Sequence, residues 1–110
     1  MPEGTKEFFR PIGSPGDTLR VRITIDRGEV TAFVIQYEAW IEGAHRPVVR
    51  YDTAHGKAHR DMLDWNGSTI DKVWAWEGAD LSYNEALDSA ASDLINNWAA
   101  YREDFLRRKP

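Results

Sequence analysis

The chain of 110 residues contains no cysteine. This absence excludes disulfide bonds, thiol catalysis and cysteine-based zinc sites, and it is typical of a protein from the reducing cytoplasm. Long apolar runs are also lacking, since none reaches the roughly 20 residues that cross a bilayer, and no charged-then-apolar leader opens the chain. We therefore expect a cytoplasmic protein without a membrane partner.

Excess positive charge is lacking as well. The net charge of −4 argues against a protein that follows a long nucleic acid duplex, because phosphate contacts supply most of that affinity. The charge is unevenly distributed, however. Between residues 45 and 60 four basic residues face a single acid, whereas residues 61–93 carry eight acids and one lysine. A basic island of this kind suits one phosphate-sized ligand.

The N-terminal segment has no usable periodicity. Residues 1–17 contain three prolines and three glycines, so we predict an irregular arm there, followed by a single α+β domain over residues 18–110. Strict apolar–polar alternation predicts a strand over 18–26. Further strands are predicted over 29–42, 46–52, 58–65 and 69–76. Short turns such as Arg27-Gly28 and Asn66-Gly67 join them, which predicts an antiparallel β-meander of four to five strands.

The last third of the chain changes to a helical period. Ser82 and Glu85 have the spacing of a capping box, and the helix is predicted from Tyr83 to about Arg107. Apolar residues recur at steps of three and four along one stripe: Leu87, Ala91, Leu94, Trp98, Tyr101 and Phe105. Because such a stripe must be buried, we expect this helix to pack across one face of the meander.

Chemistry-bearing residues concentrate between Arg50 and Asp61, where two of the three histidines lie. Residues of equal parity in a strand share a face, so Arg50 and Asp52 point together, as do His59 and Asp61. If the two strands pair, these four side chains meet on one sheet face beside a loop that carries His55. Histidine is the side chain whose charge changes near neutral pH, which makes this a candidate catalytic site.

Three interpretations of this cluster remain open. In metal-free acid–base catalysis, His59 or His55 moves a proton, Asp52 or Asp61 orients the imidazole, and Arg50 or Arg60 stabilises a phosphate charge. RNA cleavage by its own 2′-hydroxyl needs no more than that, and Tyr51, Lys57 and Arg60 are then the expected substrate-binding residues.

The second interpretation is a metal site made from His55, His59 and a carboxylate. Gly56 and the flanking strands argue against the helix on which that spacing would suit zinc, so we assign no metal ligand and no cofactor. In the third interpretation, arginine–aspartate pairs merely bridge neighbouring strands and a histidine caps the loop.

The string Arg50-Tyr51-Asp52, followed by Gly56-Lys57 and His59-Arg60, resembles a signature of the TumE-type toxin family of bacterial toxin–antitoxin modules. That family's pattern ends in a second histidine where this chain has Asp61, and its spacing before His59 is one residue longer. The resemblance implies a small bacterial protein that acts on RNA, with an antitoxin protein as partner.

Two functions are therefore expected from the sequence. One is a toxin-like protein that acts on RNA, a metal-independent endoribonuclease with His59, Asp52 and Arg50 at its centre. The alternative is a non-enzymatic protein-interaction or structural module. The hydrophobic arm and the sheet edges are also compatible with a homo-oligomer.

Overall fold

A computed structural model describes residues 4–74 and 81–110. Within these residues six strands form one antiparallel sheet in chain order, and a single long helix follows them. The strands are β1 (Gly4–Pro11), β2 (Thr18–Asp26), β3 (Glu29–Ile41), β4 (Ala44–Asp52), β5 (His59–Leu63) and β6 (Thr69–Trp74), and the helix is α1 (Tyr83–Arg107). The predicted α+β meander with a C-terminal helix is confirmed, with six strands in place of four or five.

The additional strand is β1, in the segment for which an irregular arm was predicted. It pairs with β2 over its whole length, from Gly4 opposite Ile25 to Pro11 opposite Thr18. All eight of its residues are exposed. The segment therefore carries no alternation of apolar and polar residues, and its prolines suggested a break. Pro11 is tolerated because it closes the outermost strand, where a missing N–H costs little.

The β2–β3 and β3–β4 hairpins each turn on a pair of residues that both adopt positive φ. Arg27 and Gly28 have φ of 53° and 79°, and Glu42 and Gly43 have 55° and 75°. Turns of this kind match the twist of paired strands, which explains the predicted reversal at Arg27-Gly28. β4 begins earlier than predicted because Pro47 lies beside a register shift that accommodates its missing donor. The predicted end of the last strand, Ala75 and Trp76, lies outside the described residues.

Helix α1 begins at the predicted capping box. Glu85 N–H donates to Ser82 Oγ at 3.1 Å, and Ser82 N–H donates to Glu85 Oε1 at 3.0 Å. The buried helix residues are Ala86, Ala90, Leu94 and Phe105, while the remaining members of the predicted stripe are partly buried. The described part of the chain contains no helix whose length and apolarity would let it cross a bilayer.

The strand register divides the sheet into two sides. The side under α1 carries the core, with Leu19, Ile35 and Tyr37 each at most 1% exposed. The other side, which we call the open face, is not covered by the helix. Cross-strand neighbours share a side, so Arg22 and Asp52 flank Val34 on the open face, and His59 lies next to Asp52. The candidate site lies on this face.

Candidate functional site

Strands β4 and β5 pair in the register that brings the predicted residues together. Arg50 lies opposite Asp61, and Asp52 lies opposite His59. All four side chains therefore project from the open face, next to the 3₁₀ turn Ala54–Gly56 that links the two strands. The predicted meeting of an imidazole, two carboxylates and a guanidinium is confirmed as a placement. Their catalytic roles stay a prediction.

His59 is the buried centre of this cluster, with 1% of its surface exposed. Its Nε2 lies 3.0 Å from Asp52 Oδ1 and 3.5 Å from Asp61 Oδ2. Its Nδ1 lies 3.1 Å from the carbonyl oxygen of Lys57. Because a carbonyl only accepts, Nδ1 carries a proton and donates it, which turns Nε2 towards the two carboxylates.

Arg50 closes the cluster from the solvent side. Its Nε lies 3.2 Å from Asp52 Oδ2 and its Nη2 lies 3.6 Å from Asp61 Oδ2. Its Nη1 donates to Gln36 Oε1 at 3.4 Å. The arginine side chain is 33% exposed, so it forms part of the surface as well as neutralising the carboxylates behind it.

The two carboxylates are held differently. Asp52 Oδ1 accepts a hydrogen bond from Ala54 N–H at 2.9 Å, which fixes its orientation at the start of the turn. Asp61 is only 3% exposed, yet in the described structure its Oδ1 accepts no hydrogen bond. The nearest cation to that oxygen is Lys72 Nζ at 3.7 Å. A buried carboxylate oxygen without a donor leaves acceptor capacity unused at this site.

Trp74 covers the cluster on the β6 side. Its ring lies edge-on to the His59 imidazole, with centroids 5.4 Å apart and an interplanar angle of 72°. Lys57 places its Nζ 5.9 Å from the centre of the Trp74 ring. The predicted binding residue Lys57 is exposed and lies beside Trp74 at the edge of the cluster. The side chain of the predicted catalytic residue His55 lies outside the described part of the structure.

Asp52 links the cluster to a groove on the open face. Two adjoining cavities of about 290 and 350 Å³ share Arg22, Val34 and Asp52 in their walls. The smaller cavity also touches Arg20 and Arg50. The groove thus presents three arginines, with one member of the His–Asp cluster at its wall. His59 itself lies behind Asp52, out of the groove lining.

The arginines of the groove differ in how they are neutralised. Arg20 pairs with Glu7 at 3.3 Å and approaches Glu38 at 4.0 Å, and Arg50 is occupied by the cluster. Among the described residues that line the groove, Arg22 is the cation without a hydrogen bond or a carboxylate partner. An exposed guanidinium of this kind is free to bind a phosphate or carboxylate in bidentate fashion.

Tyr51 and Arg60 do not reach this groove, although they were predicted to bind substrate. Strand parity places them on the side under α1. There, the Tyr51 and Tyr101 hydroxyls donate to Asp93 Oδ2 at 2.9 and 2.5 Å, and Arg60 Nη1 donates to the Tyr101 hydroxyl oxygen at 3.3 Å. Burial, and then Asp93, raises the pKa of Tyr51 and brings the pKa of Tyr101 to about 12. These residues fasten the helix to the sheet.

Arg20 and Arg22 were missed as candidate site residues. They lie two positions apart on the polar side of β2, so the alternation that predicted the strand also placed them on its solvent side. Their approach to Asp52 depends on the pairing of β2 with β3 and of β3 with β4. No short sequence motif indicates that these arginines lie on the same groove as Asp52.

The atoms around His59 also have the composition of a metal site. Asp52, His59 and Asp61 each offer one ligand atom, and the three atoms lie within 4.8 Å of one another. Two carboxylate oxygens and one imidazole nitrogen suit divalent ions such as Zn²⁺ and Mn²⁺.

Comparison with known proteins identifies the family of the chain. A family described as a domain of unknown function, DUF7718, matches residues 1–110, and the chain belongs to it. No curated protein and no solved structure matches the chain. The resemblance to the TumE-type toxins stays a prediction.

Proposed function

We propose that this protein binds single-stranded RNA in the groove of the open face and acts there as the toxin-like component of a cytoplasmic toxin–antitoxin module. The observation that carries the proposal is the position of Arg22. It is an unpaired cation between two adjoining cavities, opposite the wall formed by Asp52. An antitoxin protein is the partner that this proposal implies.

The groove favours a short segment of single strand over a duplex. Cavities of about 290 and 350 Å³ are of the size that holds one or two small ligand groups. Phe9 is 58% exposed on β1 and Trp74 is 40% exposed on β6, so an aromatic surface flanks the arginines on either side. Bases stack on such side chains while guanidinium groups hold the phosphates. The net charge of −4 disfavours longer tracks.

The chemistry proposed for the site is metal-free cleavage by the 2′-hydroxyl of the RNA. Asp52 takes the 2′ proton, the 2′ oxygen bonds to phosphorus, and the bond from phosphorus to the 5′ oxygen breaks. The leaving oxygen takes a proton from water, and the hydroxide that remains takes the proton from Asp52, which restores the base. Arg22 and Arg50 stabilise the charge that develops on the phosphate. His59, which lies behind Asp52 at 3.0 Å, orients that carboxylate.

Binding is tested with a fluorescently labelled single-stranded RNA of eight nucleotides, followed by anisotropy at several salt concentrations. Arg22→Ala should weaken binding about tenfold and make the slope of log K against log[salt] shallower by about 0.7, since one phosphate contact is lost. Arg10→Ala is the matched control. Arg10 is exposed on β1 and lies opposite Leu19, on the other side of the sheet. Equal losses in both variants would refute the groove as the binding site.

Cleavage is tested separately, with the same RNA in a chelating buffer. The wild-type protein should cut the strand, and Asp52→Asn should remove the activity while circular dichroism shows an intact fold. Expression of the chain alone should slow bacterial growth, and the same substitution should relieve that effect. Binding without cleavage would remove the enzymatic part of the proposal and keep the RNA part.

The alternative is a non-enzymatic interaction or structural module, and one observation favours it. Arg50 already contacts both Asp52 and Asp61, so the charged groups of the cluster can neutralise one another without a ligand. Absence of RNA binding in the anisotropy assay would select this alternative.

A further inference from the structure

We infer that Asp52, His59 and Asp61 form a binding site for one divalent metal ion, Zn²⁺ or Mn²⁺. The ligand atoms are His59 Nε2 and one carboxylate oxygen from each aspartate. This site shares Asp52 with the proposed cleavage, but the inference does not rest on RNA binding, because it is argued from the geometry of the buried cluster alone.

The distances between the ligand atoms fit a shared ion. His59 Nε2 is separated from the two carboxylate oxygens by 3.0 and 3.5 Å. Ligands placed about 2.1 Å from a metal are about 3.0 Å apart at octahedral angles and about 3.4 Å apart at tetrahedral angles. All three ligand atoms lie within 4.8 Å of one another, so an ion between them requires only adjustment of the side chains.

The surroundings of the ligands are those of a prepared site. His59 Nδ1 donates to the Lys57 carbonyl oxygen at 3.1 Å, which fixes the ring with Nε2 towards the carboxylates. A backbone acceptor on the second ring nitrogen is the usual support of a metal-binding histidine. Ala54 N–H holds Asp52 in place in the same way, at 2.9 Å.

Asp61 supplies an independent observation that points to a ligand. It is 3% exposed, and its Oδ1 has no hydrogen-bond donor within the described part of the chain. The carboxylate meets its cations only at 3.5 to 3.7 Å, the distances to His59, Arg50 and Lys72. A buried acid held this loosely retains the capacity to coordinate a metal.

The charge balance permits an ion despite the neighbouring Arg50. His59 Nε2 and Asp52 Oδ1 lie at hydrogen-bond distance, 3.0 Å apart, and a metal bound there displaces the proton of that hydrogen bond, so a divalent ion adds one net positive charge rather than two. Three protein ligands leave further coordination positions open, and Asp52 also borders the groove.

The test is calorimetric titration of the tag-free wild-type protein with Zn²⁺ and with Mn²⁺ at constant pH, in two buffers that differ in ionisation enthalpy. We expect one ion per chain for at least one metal and release of about one proton per ion bound. The melting temperature should rise with the concentration of that ion. If neither ion binds at millimolar concentration, the inference is overturned. This titration uses only the wild-type protein, so a misfolded variant cannot affect the result.

Variants locate the ion. Asp61→Asn and Asp52→Asn should each weaken binding at least tenfold, because each removes an anionic ligand. His45→Gln and Asp71→Asn are the matched controls and should change the affinity less than twofold, since both residues lie outside the cluster. Binding of equal strength in all four variants would place the ion elsewhere and overturn the assignment.

Discussion

Replacement of Asp61 by asparagine tests whether the buried cluster is held together by charge. Asp61 is 3% exposed and is surrounded by His59 at 3.5 Å, Arg50 at 3.6 Å and Lys72 at 3.7 Å. Asparagine keeps the shape of the side chain and removes its charge. Asp52 then remains as the single carboxylate of the cluster beside His59, Arg50 and Lys72.

The size of the effect follows from how far each partner is buried. Removing one member of a buried ion pair costs about 3–5 kcal/mol. Lys72 is 41% exposed and Arg50 is 33% exposed, so solvent screens both and the lower end of the range applies. We expect the free energy of unfolding to fall by about 3 kcal/mol, which lowers the melting temperature by about 12 °C in a domain of this size.

The assay is urea denaturation of the metal-free protein, followed by circular dichroism. Asp71→Asn is the control, because Asp71 is an exposed aspartate on the neighbouring strand β6, and its effect should stay within about 0.5 kcal/mol. A double-mutant cycle with Arg50→Met should give a coupling energy of about 1 kcal/mol. If Asp61→Asn is as stable as the wild type, or more stable, the repulsion between Asp61 and Asp52 outweighs the attraction of Asp61 to its cations. The claim that charge holds the cluster together is then wrong.

Two further predictions concern the helix side. Burial raises the pKa of Tyr37 and Tyr51, so between pH 10 and 12 the unfolded chain releases phenol protons that the folded chain keeps. The free energy of unfolding should fall as pH rises above 10, by about 1.4 kcal/mol per pH unit for each phenol. In urea titrations at several pH values, the Tyr51→Phe variant should show a fall of the free energy of unfolding with pH that is smaller by about 1.4 kcal/mol per pH unit. The same pH dependence in the variant and the wild type would contradict this prediction. Leu94→Ala should lower the free energy of unfolding by about 3 kcal/mol, because Leu94 is fully buried. Ile95→Ala, at an exposed position, should lower it by less than about 1 kcal/mol. Equal losses for the two variants in chemical denaturation would contradict the packing of the helix described above.

Much of the fold follows from local patterns. Alternation predicted β2 because Leu19, Val21 and Ile23 all face the helix, and a capping box predicted the start of α1. β1 was not predicted because it lies at the sheet edge and buries neither side. Where a strand covers no core, its sequence carries no period-two signal, and only pairing with its neighbour defines it.

The candidate site was predictable within one hairpin and not beyond it. Parity placed Arg50, Asp52, His59 and Asp61 together, because β4 and β5 are adjacent in the chain and pair without a bulge. Alternation along β4 also places Tyr51 on the side of the sheet opposite Arg50. The motif Arg50-Tyr51-Asp52 therefore does not present all its side chains on one binding surface. Arg22 and Asp52 line the same groove only through the pairing of β2 with β3 and of β3 with β4, and each of these pairings contains a register shift along its length.

The order of the strands also bears on how the molecule is made. Every strand pairs with its neighbour in the chain, so each hairpin can form during synthesis as soon as its second strand has left the ribosome. Helix α1, which covers the core, is synthesised after all of them. During that interval the nascent sheet exposes its apolar side, and this is when chaperone capture or misassembly competes most strongly with folding.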